Sequence, residues 1–110
     1  MKIVFNQIEG KKLDNFKGGE KYLETRMFTD ENNKIMKATL IPGSSIGLHT
    51  HETSSEIIYI LSGHGVCICE GVKEELKEGD CHYCKKGAEH TLRNESDVNL
   101  VFFAVVPEHK

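Results

Sequence analysis

The chain has 110 residues, 38% of them hydrophobic and 28% charged, with a formal net charge of -3; that is enough for one domain with its own core and too few for two of usual size. No basic stripe or low-complexity tract is present, which argues against nucleic acid as a partner and against disorder. The first sixteen residues carry one short apolar run cut by Asn6, Gln7 and Glu9, leaving no signal-peptide core or membrane span there; the expected location is the cytoplasm.

In chain order, residues 1–20 read as an N-terminal strand or arm ending at Gly18-Gly19. Short segments rich in Val, Ile, Tyr, Phe and Thr then alternate with turn clusters such as Asp30-Glu31-Asn32-Asn33, Pro42-Gly43, Ser62-Gly63 and Glu78-Gly79-Asp80, and no window shows a clean helical stripe. Strands are expected at 21–28, 34–41, 46–51, 56–62, 65–70, 72–77, 81–84, 90–94 and 98–106. So many short strands predict an all-β sandwich or barrel, because an isolated sheet would leave one apolar face wet and its edges open. Within 34–41, Met36, Ala38 and Leu40 alternate with Ile35, Lys37 and Thr39, the pattern of a strand buried on one face. The run Leu100–Val106 is apolar on both faces, so its outer face is expected to meet another sheet or a second copy in a homodimer.

His49 and His51 in GSSIGLHTHE would share one face of a strand with Cα atoms about 6.7 Å apart, close enough for both imidazoles to reach one ion. Glu56 opens the next strand after a short loop, and His90 follows the turn at Gly87. Two histidines and a carboxylate on one side of a metal suit Fe(II), Mn(II) and related ions with positions left open. An unpaired Glu56 ahead of the run IIYIL would be costly to bury, and a cation removes that cost. Of the other histidines, His64, His82 and His109 are expected at the surface or in ordinary hydrogen bonds. Glu52 and Glu89 are expected to be solvated.

Cys67, Cys69, Cys81 and Cys84 are expected as free thiols in a reducing compartment. Cys81 and Cys84 have the C-x-x-C spacing, but in a strand they point to opposite faces and cannot share a metal, so both are expected as small buried apolar side chains. Cys67 and Cys69 do share a face and could reach a common ligand; burial as small apolar side chains is the plainer reading.

Gly43-x5-His49-x-His51-x4-Glu56-x6-Gly63 resembles the first motif of the cupin family at every fixed position, and Gly79-x5-Lys85-x-Gly87-x2-His90-x3-Asn94 resembles the second, with Lys85 where the family usually has proline. The motifs occupy 43–63 and 79–94, separated by the fifteen residues His64–Glu78. The resemblance is to small single-domain cupins of the cupin 2 conserved-barrel type. It implies one domain over 1–110, a jelly-roll β-barrel (double-stranded β-helix), a commonly dimeric state, and a divalent transition metal (Fe, Mn, Ni or Zn) held by His49, His51, Glu56 and His90. Lysine in place of proline leaves the unfolded chain freer and is expected to loosen that rim slightly, without touching a ligand position.

With four protein ligands, a six-coordinate ion would keep two positions for water, oxygen or a bidentate small-molecule substrate. Three functions follow as expectations. The first is a metalloenzyme (an oxidoreductase such as a dioxygenase, a decarboxylase or a lyase) acting on a small oxygen-rich molecule; the second is a sugar or uronate isomerase or epimerase. The third is a non-catalytic small-molecule or metal-binding module. Ile58, Ile60 and strand 98–106 are expected to wall the site against water. Tyr22, Tyr59, Tyr83, His82 and Glu24 are titratable candidates for a base, and none is assigned.

Overall fold

In the computed structural model, which describes residues 1–109, ten strands form two antiparallel sheets: β1 (Lys11–Asp14), β2 (Tyr22–Thr29), β3 (Asn33–Leu40), β4 (Ser45–Thr50), β5 (Glu56–Ser62), β6 (His64–Cys69), β7 (Val72–Lys77), β8 (Cys81–Cys84), β9 (Glu89–Arg93) and β10 (Leu100–Pro107). One sheet has the order β1-β2-β3-β10-β5-β8 and the other β4-β9-β6-β7. This is the all-β jelly-roll barrel expected from the turn spacing. Two single-turn 3-10 segments, Phe5–Gln7 and Phe16–Gly18, lie in the N-terminal stretch. The last strand begins at Leu100, two residues later than expected, because Asn94 and Ser96 tie the preceding loop to Val98 O with side-chain bonds of 2.8 and 3.0 Å.

The alternation that predicted strands also decides what is buried. Met36, Ala38 and Leu40 of β3 turn inward, as do Ile58 and Ile60 of β5 and Leu100, Phe102 and Ala104 of β10; with Leu23, Ile46 and Leu92 they make one core between the sheets. β10 lies between β3 and β5, pairing Phe102 with Ala38 on one side and Ile60 on the other. Its opposite face carries Val101, Phe103 and Val105, only partly covered, next to exposed Ile57, Tyr59 and Tyr83.

One irregularity positions the site. Strict alternation would put Ile46 and His49 on opposite faces, yet Ile46 belongs to the core and His49 points into the same interior. The β4–β9 register slips between Ile46 and His49, and this bulge, centred on Gly47-Leu48, resets the parity. Only glycine fits at 47, because a Cβ there would overlap the Lys17 carbonyl of the neighbouring 3-10 turn.

Candidate metal centre

His49 lies on β4, His51 one residue past its end, Glu56 at the start of β5, and His90 on β9 opposite His49. The turn after β8 fixes His51: its N–H donates to Ala88 O at 3.0 Å, and Gly87 N–H donates back to His51 O at 2.6 Å. Gly87, at φ +86°, takes the left-handed conformation this turn needs. Ala88 N–H donates to Lys85 O at 3.0 Å across the same turn.

The four side chains converge. His51 Nε2 lies 3.2 Å from His49 Nε2, 3.0 Å from His90 Nε2 and 3.1 Å from Glu56 Oε1; His90 Nε2 is 2.9 Å from the same carboxylate oxygen. His51, Glu56 and His90 are buried, and His49 is half-buried. One ring nitrogen carries at most one proton, so three polar contacts at His51 Nε2 cannot all be hydrogen bonds.

The far nitrogens assign the tautomers. His49 Nδ1–H donates to Gly47 O at 2.7 Å, which leaves its Nε2 lone pair facing the centre. His82 Nδ1–H donates to Glu74 at 2.9 Å, so His82 Nε2 accepts from His90 Nδ1–H at 3.1 Å, and His90 Nε2 is again a bare lone pair. His51 Nδ1 meets Ser54 Oγ at 2.9 Å. Lone pairs and a carboxylate packed this closely repel one another unless a cation lies between them. Donors bound to one ion at about 2.1 Å and at right angles stand about 3.0 Å apart, the spacing of octahedral neighbours. The set fits a divalent ion, and these residues form a candidate ligand cluster.

Burial pushes the Glu56 carboxyl upward, but in the ion-free centre His51 and His90, when protonated, would donate to it and supply positive charge, which outweighs burial and holds the pKa at about 2; a bound cation would take the place of those protons. Burial lowers that of His49, partly offset by its bond to Gly47 O. Burial likewise lowers that of His82, against the opposing Glu74 hydrogen bond. Glu56 is therefore an anion and His49 a neutral donor near pH 7, the forms that bind a metal.

A cavity of about 470 Å3 reaches His49, His51 and Glu56, within the range of small-molecule sites. Its apolar wall is Phe16, Leu23, Met27, Met36, Ile46 and Val106. Of the expected walls only the last strand contributes, through Val106; Ile58 and Ile60 point into the core, 1% and 0% exposed. Tyr59 and Tyr83 lie on the outer face, and neither Tyr22 nor Glu24 lines the cavity. Exposed Glu52 does line it, while Glu89 is exposed elsewhere.

His82 is the residue sequence reasoning missed. His64 is exposed and His109 bonds Ser55 Oγ at 2.8 Å, whereas His82 is 3% exposed and holds the far side of His90. Its signal was its parity with Cys84 on a four-residue strand, but which face turned inward was not readable. All four cysteines are free thiols; Cys67 and Cys84 are fully buried, but Cys81 is exposed rather than packed inside.

The profile of the family described as Cupin domain matches residues 36–106. A Thermotoga maritima protein named oxalate-binding protein is 33% identical over 112 aligned positions, which cover 96% of this chain and 93% of that one. An uncharacterized Methanocaldococcus jannaschii protein is 33% identical over 71% of this chain and 62% of its own length. Among solved structures, a Thermotoga maritima protein described as a predicted oxalate decarboxylase superposes with a TM-score of 0.92 at 31% identity, covering 98% of this chain and 99% of its own. The cupin domain of Schizosaccharomyces pombe Cnp3 reaches 0.80 at 9% identity over 98% of this chain and 74% of its own, a likeness of fold alone.

Proposed function

We propose, from the premise that the chain belongs to the cupin domain family, that His49, His51, Glu56 and His90 hold one divalent ion and that this centre binds a small dicarboxylate of the oxalate class. The observation that carries this reading is the mutual spacing of 2.9–3.2 Å among the facing donor atoms, which matches neighbouring ligands on one six-coordinate ion and leaves two positions for a chelating dianion. The relative named for oxalate binding, similar over nearly the whole chain, supports the ligand class.

The cavity rim tests where the attraction comes from. Lys17 and Lys34 line it against Asp30, Glu31, Glu52 and Glu108, a balance that repels an anion. Binding therefore has to rest on the ion, with the apolar wall excluding competing water. A bound divalent cation supplies charge neutralisation and polarisation of the carboxylates. Glu56 keeps the centre's net charge positive by only one, His82 and Ser54 orient two of the rings, and Phe16, Met27 and Val106 confine the ligand.

Calorimetry with the Mn(II)-loaded and metal-free protein tests this: oxalate heat should appear only in the loaded form. Equal binding by both forms would overturn the reading. Turnover of bound oxalate is favoured by the neighbour described as a predicted oxalate decarboxylase; release of carbon dioxide and formate checks it, and binding without release would make the protein a carrier or sensor.

We assign the outer face of β5, β8 and β10 to a second copy of the chain. Ile57 pairs with Tyr83 and Val105, and Tyr59 with Phe103, giving a contiguous apolar surface with 39–55% exposure at Ile57, Tyr59 and Tyr83. Light scattering should give a dimer that Tyr59→Glu dissociates; a monomeric wild type contradicts it. The free thiols support a reducing compartment such as the cytoplasm. No helix among the described residues is long and apolar enough to cross a membrane.

A further inference from the structure

Behind His90, on the side away from the cavity, the interior changes chemistry. β6 and β8 belong to different sheets and face each other across the barrel. From β6, Cys67 and Cys69 turn inward; from β8, His82 and Cys84 do so. Cys69 is the pairing partner of His90 and Cys84 that of Glu56, so the thiols stand directly beside the strands that carry the ligands described above.

Donor atoms of Cys69, His82 and Cys84 lie within 4.8 Å of one another. Cys67 Sγ adds a further sulfur 3.3 Å from His82 Nε2. Glu74 holds the opposite nitrogen of His82 as N–H, so its Nε2 lone pair faces Cys67 Sγ and His90 Nδ1–H. Thiolate sulfurs bound at about 2.3 Å around a tetrahedral ion stand a little under 4 Å apart, with a ring nitrogen closer still. Side chains packed only as small hydrophobes would meet carbon, whereas here Cys67 Sγ meets a ring nitrogen, and Cys69 and Cys84 bring their sulfurs within 4.8 Å of each other and of His82.

We propose that Cys69, His82 and Cys84 form a second metal site selective for a thiophilic cation of the Cu(I) or Zn(II) class, distinct from the histidine–carboxylate centre. Sulfur and imidazole donors prefer such ions over Mn(II) or Mg(II). Burial raises the Cys67 and Cys84 thiols to about 12, so both carry their protons while no ion is bound. Uptake breaks the S–H bonds of the ligating cysteines, releases one proton to solvent for each and forms the metal–sulfur bonds; no oxidant or reductant is needed. His82 Nε2 then gives its lone pair to the ion instead of to His90 Nδ1–H. Half-buried Cys69 provides the entry point.

Filling this site takes the His82 lone pair from His90, so it should weaken the histidine–carboxylate centre, but its test reads the sulfurs alone and keeps the failure of one site distinguishable from that of the other. Reduced, oxygen-free protein preloaded with Mn(II) is titrated with Cd(II), and the ultraviolet thiolate-to-cadmium charge-transfer band is followed. One equivalent should develop the band in wild type, in His49→Ala/His51→Ala and in Cys81→Ser, whose thiol is exposed. Cys69→Ala/Cys84→Ala should lose it while keeping the wild-type far-ultraviolet dichroism; Cys69→Ser alone, at a half-buried position, should weaken Cd(II) binding at least tenfold. Absence of the band in wild type, or its persistence in the double alanine variant, overturns the site.

Discussion

On the Nε2 side of His90 the barrel interior offers imidazole nitrogens and a carboxylate beside an open cavity; on the Nδ1 side it offers sulfur and a second imidazole in a closed interior. The two regions share one ring and sit in the same core. They differ in what the ring faces: hard, solvent-reachable donors that leave coordination positions free, or soft donors with little access. A few ångströms of β-barrel therefore separate two metal preferences, and the His82–His90 hydrogen bond of 3.1 Å joins them.

The largest effect expected falls on the open side alone. His49→Ala/His51→Ala should abolish Mn(II) binding in calorimetry while the fold persists, since two of the three nitrogen donors are removed; retained binding would place the ion elsewhere. A core change strikes both sides together: Phe102→Ala, at 0% exposure between the sheets, should cost about 3–5 kcal/mol in denaturant unfolding. Gly47→Ala should strain the bulge and cost roughly 1–3 kcal/mol, with a weaker Mn(II) site and an unchanged Cd(II) charge-transfer band.

His82→Ala asks whether the shared ring couples the regions. Without its acceptor, His90 loses the bond that fixes its tautomer, and Mn(II) affinity should fall about 10–100-fold. An unchanged affinity would separate the two sides. The smallest effect is expected from pH on the metal-free protein. Burial lowers His49 and His82 below the ordinary 6.5, so in that window the unfolded chain binds more protons than the folded one. Stability is then present above 6.5 and is lost as pH falls below it; the Glu56 contribution persists until pH falls through about 2. Thermal melts should show Tm declining from pH 7 to 5. In the loaded protein, proton competition for the imidazoles should release the ion at about pH 5–6.

The open side was legible in the sequence because its information is local. His49 and His51 share a face through a two-residue period, Glu56 follows across a short loop, and the two glycine-framed motifs bring in His90. The closed side was not legible. Cys67 and His82 meet across two sheets, and which residue of β6 faces which of β8 is set by register, which a short strand does not specify by itself. The Gly47 bulge was invisible for the same reason: alternation alone would have put Ile46 and His49 on opposite faces, and only the pairing with β9 shows the slip. Strand positions came through within a residue or two, since the turn residues at Pro42-Gly43, Glu78-Gly79 and Lys86-Gly87 mark the strand ends they adjoin. The cavity wall did not, because Phe16 comes from a 3-10 turn in the N-terminal arm that no periodicity announced.

An anomalous-difference map from crystals grown with Mn(II) tests the central claim most directly. The account predicts one strong peak at about 2.0–2.2 Å from the Nε2 atoms of His49, His51 and His90 and from a Glu56 carboxylate oxygen. No peak there, or a peak bound by other residues, would contradict it.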